Sequence, residues 1–104
     1  MPSANHEINQ HSVSLLTLKL SLPGCGSLKQ KRSLLSPILA RLHKEFNLSA
    51  AEIGLQDVWQ SAWLGCALLS TDPNHNARVL NKVVEFVETR FPEVQVEEFH
   101  IENR

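Results

Sequence analysis

Leucine occupies every second position from 16 to 22 within segment 13–22, and this alternation stops at a Pro-Gly pair. A period of two is typical of a strand with one buried face, so this segment needs a second layer to cover it. A helix is predicted directly after the turn, with Ser27 as its cap and Gln30 completing a capping-box pattern. The apolar stripe of this helix has helical spacing and comprises Leu28, Leu35, Ile38, Leu39, Leu42 and Phe46.

Four more elements are predicted further along the chain. Segments 49–56 and 60–70 alternate as two strands, and a second helix follows Asp72 with proline in its first position. The residues that this helix is predicted to bury are Val79, Leu80, Val83, Val84, Val87 and Phe91. A last strand covers 94–101, where the alternation slips at Glu97-Glu98 and predicts either a bulge or a frayed edge. Pro37 lies opposite the first apolar stripe, so we expect one bent helix there and not two.

The order β-α-β-β-α-β predicts an α+β fold of the ferredoxin-like, split βαβ kind, in which two helices cover one face of a four-stranded antiparallel sheet. A chain of 104 residues has room for one domain, over residues 12–104, after a disordered tail over 1–11. The uncovered face is too apolar for water, and we expect a homodimer to form through it. Its predicted residues are Leu15, Thr17, Lys19, Trp63, Gly65, Ala67 and Leu69.

Composition places the chain among globular proteins, with 42% apolar and 20% charged residues. No apolar stretch approaches the ~18–20 residues of a membrane span, and the first residues lack the apolar segment of a signal peptide. We therefore expect a cytoplasmic protein with two free thiols, Cys66 in the core and Cys25 at an incidental loop position. The histidines and cysteines have no metal-ligand spacing, so no metal or cofactor is predicted.

Charge is divided unevenly along the chain, although the formal net charge is −1. Residues 8–44 carry six cations and no acid, whereas residues 45–104 carry ten acids and four cations. Three of the cations crowd the first turns of the first helix, where the helix dipole favours acids, and a bound anion would relieve that conflict. The predicted anion or RNA site comprises Gly24, Gly26, Ser27, Lys29, Lys31 and Arg32. The alternative is that both sets of charges are solvated and neutralise each other in space.

A second group of residues lies in the connection between the middle strands, at Gln56, Asp57, Trp59 and Gln60. Asp and Gln in such a turn ordinarily make turn hydrogen bonds, and a tryptophan there ordinarily packs over a strand end. The functional interpretation is a contact for a partner or a nucleotide. No nucleophile with its base accompanies the group, so no catalytic residue is assigned and a non-enzymatic protein is favoured.

Two blocks of sequence carry a resemblance to a known family, LxLxLPGxxSLKxKR and RLxxxFNLSAAEIxxQDxWQxAxLGxALLS. Over residues 13–101 the chain resembles the YlxP-like family of small bacterial proteins. The resemblance implies a ferredoxin-like fold in a cytosolic protein, and the neighbourhood of the family's genes suggests an RNA or ribosome context. The chain departs from the family pattern at Trp63, at Pro37 and in its N-terminal tail.

Two functions of different classes are consistent with these residues. The first is a non-enzymatic binder of RNA or ribosomal components that uses the basic loop and helix start and reads little sequence. The second is a homodimeric protein-interaction or small-ligand regulatory module that uses the open sheet face. Base stacking as in an RNA-recognition domain is disfavoured, because Trp63 is the one aromatic residue that the predicted central strands offer.

Overall fold

The computed structural model describes residues 10–104, and most of the predicted tail over 1–11 lies outside the described residues. All six predicted elements are present, and the ends of the strands differ from the predictions by at most two residues. In chain order they are β1 (Ser12–Ser21), α1 (Leu28–Phe46), β2 (Ser49–Gly54), β3 (Ser61–Ser70), α2 (Pro73–Arg90) and β4 (Gln95–Asn103).

The four strands form one antiparallel sheet in the order β2-β3-β1-β4, which confirms the ferredoxin-like plan. Leu18 lies at its centre, opposite Leu64 of β3 on one side and Phe99 of β4 on the other. Because side chains alternate along a strand, Leu16, Leu18 and Leu20 all point to the helices and are fully buried. Within residues 10–104, no helix covers the other face of the sheet.

Helix α1 runs without interruption through Pro37, which is exposed, as its place opposite the apolar stripe predicts. The helix ends at Asn47, whose φ of 49° is in the left-handed region that asparagine tolerates better than most residues. Helix α2 begins at the predicted cap, where Oδ1 of Asp72 accepts a hydrogen bond from the Asn74 amide at 2.9 Å.

The core lies between the sheet and the two helices. Its predicted helical members Leu35, Ile38 and Leu42 are buried, as are four of the six predicted for α2. Cys66 is a core residue, as predicted. The prediction of an incidental position for Cys25 is wrong, because its side chain is also buried and its thiol lies 3.5 Å from the Ser27 carbonyl oxygen.

The predicted irregularity in β4 is confirmed as a bulge. The pairing register of β1 with β4 shifts between Lys19 and Leu20, which are opposite Glu98 and Val96 and leave Glu97 unpaired in the ladder. The carboxylate of Glu97 lies 3.7 Å from the Lys19 ammonium. The bulge therefore puts an acid beside the one cation of β1.

Candidate functional site

The start of α1 has the predicted cap. The Ser27 hydroxyl accepts a hydrogen bond from the Gln30 amide at 3.0 Å, and Gln30 Oε1 accepts one from the Gly26 amide at 2.7 Å. The turn before it requires glycine at position 24, where φ is 83°. The chain therefore holds the helix start rigidly and satisfies part of its own free N–H groups.

Lys31 does not belong to the predicted anion site. Its side chain is buried at 2% exposure, and its ammonium donates to the carbonyl oxygens of Leu55 at 2.7 Å and Val58 at 2.6 Å. The same ammonium lies 2.8 Å from Oε2 of Glu52. Two of the three N–H donors of this ammonium are taken by backbone carbonyls, and the Glu52 carboxylate already lies beside the buried charge, so Lys31 does not face an external anion.

The sequence contains a signal for this internal role. Lys31 lies between Leu28 and Leu35 at the spacing of the apolar stripe, so its side chain enters the layer between helix and sheet. Glu52 is opposite the buried Leu64 in the sheet and therefore points to the same side. Two opposite charges on inward-facing positions predict an ion pair. This pair was missed because Lys31 stands beside Lys29 and Arg32 and was grouped with them as a surface cation.

The ion pair supports a strained connection between β2 and β3. Leu55 has a φ of 61°, a left-handed conformation that costs a residue with a branched side chain more than it costs glycine. Its carbonyl oxygen accepts from the Val58 amide at 3.0 Å as well as from Lys31. Lys31 therefore fixes the backbone of this connection from inside.

The two groups predicted separately from the sequence lie at the same end of the molecule. The Leu22 amide donates to the Gln60 carbonyl oxygen at 2.9 Å, and Gln60 Nε2 lies 3.4 Å from the Cys25 carbonyl oxygen. Within the second group, Gln56, Asp57, Trp59 and Gln60 are all exposed. Trp59 is 49% exposed and does not bury its ring over a strand end.

A hollow of about 190 Å³ lies between the helix start and this connection. Its lining residues are Leu28, Lys31, Arg32, Glu52, Gln56 and Asp57. Two carboxylates face the hollow and Lys31 is already engaged, so the hollow itself does not attract an anion. Only the outward side of the helix start, where Lys29 and Arg32 are exposed, keeps positive charge available.

Further cations lie along the helical layer, and sequence reasoning did not single them out. The guanidinium groups of Arg41 and Arg90 lie 5.3 and 5.5 Å from the centre of the Phe86 ring, at cation–π distance. Lys44 is exposed in the last turn of α1. Arg41 also lies 3.2 Å from a carboxylate oxygen of Glu45, so the helical layer carries cations on both helices with acids interspersed among them.

The open face of the sheet carries the residues predicted for it. Leu15, Thr17, Lys19 and Trp63 are partly exposed there, and Leu69 is 68% exposed. Three residues of β2 extend the face: Ser49, Ala51 and Ile53. The acids that β4 adds, Glu98 and Glu102, are opposite Lys19 and Leu15. We call this surface the open face.

Reactive chemistry is scarce in the part of the chain that the structure describes. No cluster of three or more His, Cys, Asp or Glu side chains within residues 10–104 is placed to hold a metal ion. Burial raises the pKa of the Cys66 thiol to about 12, which suppresses the thiolate that a nucleophile requires. Neither helix in this range combines the length and apolar character needed to cross a bilayer.

Fold and site together define a ferredoxin-like α+β protein with a cationic helical layer on one side and an apolar sheet face on the other. A model of a family described as a protein of unknown function, DUF503, matches residues 13–101, and the chain belongs to this family. The chain is also 41% identical over 70 residues to the uncharacterized protein YlxP of Bacillus subtilis (strain 168). The aligned residues cover 67% of this chain and 75% of that protein. The resemblance to the YlxP-like family is confirmed.

Solved structures with little sequence identity share the fold. A structural-genomics protein, YJCS, superposes with a TM-score of 0.56 at 13% identity, covering 88% of this chain and 98% of that chain. Protein SO0527 from Shewanella oneidensis gives 0.53 at 18% identity, with 92% and 91% covered. A dabb family protein with a ferredoxin-like fold from Mesorhizobium loti gives 0.50 at 17% identity, with 91% and 96% covered. These similarities concern the fold alone.

Proposed function

We propose that this protein binds RNA or ribosomal components through the phosphate backbone, with Lys29 and Arg32 as the principal contacts. The observation that carries the proposal is the state of these two side chains. Both are exposed in the first two turns of a helix whose first turn contains no acid, and neither forms an ion pair among the described residues. Phosphate oxygens would supply the negative charge that this helix start lacks.

The helical layer extends this surface beyond the helix start. Lys29 and Lys44 are fifteen residues apart on α1, which corresponds to about 22 Å of helix. Arg41 and Arg90 lie between and beside them, anchored on Phe86. A surface of this length can meet several phosphates at once, whereas a single small anion would use only one end.

Contacts of this type favour backbone recognition over the reading of bases. The cations on the helices are long side chains, and the Phe86 ring among them is already covered by Arg41 and Arg90. Phosphate contacts carry no direct sequence information. Affinity should therefore depend steeply on salt, because each neutralised phosphate releases counterions. We expect a preference for structured RNA, whose closely spaced phosphates can meet several of these cations.

The test is fluorescence anisotropy with a labelled RNA hairpin, together with co-sedimentation with ribosomal subunits, both over a series of salt concentrations. Wild-type protein should bind, and Arg32→Glu should weaken binding about tenfold and reduce the slope of log affinity against log salt by about one. Arg104→Glu is the matched control, because it makes the same change in net charge at the end of β4. Both variants should keep the wild-type circular dichroism spectrum.

Two results would contradict the proposal. One is an absence of binding to either the hairpin or the subunits at low salt. The other is an equal loss of affinity in Arg32→Glu and Arg104→Glu, since that would assign the binding to net charge and not to the helix start. Lys31 variants are unsuitable for this test because Lys31 supports the fold from inside.

A further inference from the structure

The open face has the composition of an interface and not of a surface in contact with water. Leu69 and Ile53 expose 68% and 51% of their surface, and Val13 is exposed beside them at the start of β1. Val13 is opposite Leu69 in the pairing of β1 with β3, and Ile53 lies on the same face over Gly65, about 13 Å further along β3. We infer that this face joins two copies of the chain in solution. The inference concerns the side of the molecule opposite the proposed RNA surface and does not depend on it.

The open face carries both a hollow and a projecting side chain. A hollow of about 220 Å³ is lined almost entirely by apolar atoms, because Gly65 has no side chain and Ala51 and Ala67 have short ones. Ile53 leans across Gly65, where an added Cβ would lie 3.0 Å from its Cδ1 atom. Leu69 projects from the same face two residues beyond Ala67. A two-fold axis can place the Leu69 of each copy over the hollow of the other, as an isologous interface requires.

The area of the face approaches the size that a stable dimer needs. Four strands of six to ten residues, at ~4.8 Å spacing and ~3.3 Å per residue, give a face of about 550 Å² in projection. Accessible area exceeds projected area on a surface with a hollow and projecting side chains. Standard interfaces bury about 800 Å² on each partner, so two open faces in contact approach this class.

Charge restricts how the two faces can meet. Glu98 and Glu102 form an acidic row along β4, and placing two such rows over each other would oppose like charges. The arrangement that avoids this puts the β4 rows at opposite rims and stacks the apolar centre, β2-β3-β1, on itself. The acidic row also disfavours nucleic acid as an occupant of this face. Both helical layers then face outward.

Sedimentation velocity over a wide range of protein concentrations tests the inference. Wild-type protein should form a dimer. Leu69→Lys removes an exposed leucine from both copies at once, so it should raise the dissociation constant on the order of a hundredfold. Val58→Lys is the matched control, because Val58 is also an exposed apolar residue but lies in the connection between β2 and β3.

A second variant, Ala51→Glu, places a charge in the hollow without removing a large side chain, and it should also give monomers. Its folding is checked by its thermal transition, as Ala51 is exposed. The inference is overturned if wild-type protein is monomeric at every protein concentration. It is equally overturned if the dimer persists in both Leu69→Lys and Ala51→Glu.

Discussion

The ammonium of Lys31 lies 2.8 Å from Oε2 of Glu52, and together they join the first helix to the edge strand β2. The two carbonyl oxygens that Lys31 also contacts take the best hydrogen-bond directions. Oε2 of Glu52 is buried and has no other partner among the described residues, so charge and not an oriented hydrogen bond holds it. The helix start thus uses one of its three cations for the fold, and the other two, Lys29 and Arg32, are exposed.

Replacing Lys31 should destabilise the protein strongly. Lys31→Met keeps the apolar stem but leaves the Glu52 carboxylate without its counter-charge and the Val58 carbonyl oxygen without its donor, while the Leu55 carbonyl keeps only the Val58 amide. We expect a loss of about 3 kcal/mol in the free energy of unfolding. Urea unfolding followed by tryptophan fluorescence measures it. Lys29→Met, two residues away and exposed, should change stability by less than about 0.5 kcal/mol. Equal effects of the two substitutions would contradict the internal role of Lys31.

Asn76, at the start of α2, should be a second buried polar residue on which stability depends. It is fully buried, its Nδ2 donates to the Ser12 carbonyl oxygen and the Ser14 hydroxyl at 3.1 Å each, and its Oδ1 accepts from Ser70 at 2.7 Å. Asn76→Ala removes all of these buried hydrogen bonds, although Ser14 and Ser70 keep bonds to Asn103 and Asp72, and it should cost about 2–3 kcal/mol.

The control for this prediction is Asn81→Ala in the same helix. Asn81 is exposed and donates only to the Ala77 carbonyl oxygen, so the substitution should be nearly neutral. Thermal unfolding of both variants at one pH compares them directly. A melting temperature of Asn76→Ala equal to that of Asn81→Ala would show that the buried network contributes nothing.

Local patterns in the sequence were sufficient for the fold. The alternation of 13–22 and the spacing of Leu35, Ile38 and Leu42 depend only on residues close in the chain, as does the cap at Ser27. The bulge at Glu97 could be predicted for the same reason. Each of these features is a property of one element, and the order of elements then selects one topology.

The candidate site depended on pairings between distant residues. Lys31 meets Glu52 across 21 positions of sequence, and Arg41 and Arg90 reach the same phenylalanine from two helices. A cation at a helix start looks the same in sequence whether it faces water or the sheet. The one local signal for the buried role of Lys31 is its spacing from Leu28 and Leu35 on the apolar stripe of the helix. The neighbouring cations Lys29 and Arg32 suggested a surface cluster instead.

The cap of α1 gives a prediction that connects stability with the proposed function. Ser27→Ala removes the acceptor for the Gln30 amide and should lower the free energy of unfolding by about 1 kcal/mol. Ser27→Asp restores the acceptor and adds a negative charge beside Lys29, so stability should return while RNA affinity falls. Chemical denaturation and anisotropy on the same samples separate the two effects. Unchanged affinity in Ser27→Asp would contradict a role for this helix start in binding.

Cys66 should make stability fall in alkaline solution. Burial raises the pKa of its thiol from 9.0 to about 12, so between these values the unfolded thiol is ionised while the folded thiol stays protonated. The pKa is higher in the folded state, so the stabilisation is complete below about pH 9 and is lost as the pH rises further. At about pH 10 the loss is about 1 kcal/mol relative to neutral pH.

Cys66→Ala isolates this contribution, because every other titrating group is common to both proteins. At neutral pH the variant should be less stable than wild type, since it leaves a small cavity beside the central strands. The difference should shrink as the pH rises past 9, where only wild-type protein loses the thiol contribution. Urea unfolding of both proteins at several pH values measures this convergence. Curves that stay parallel up to about pH 11 would show that the thiol ionises as readily in the folded protein as in the unfolded chain.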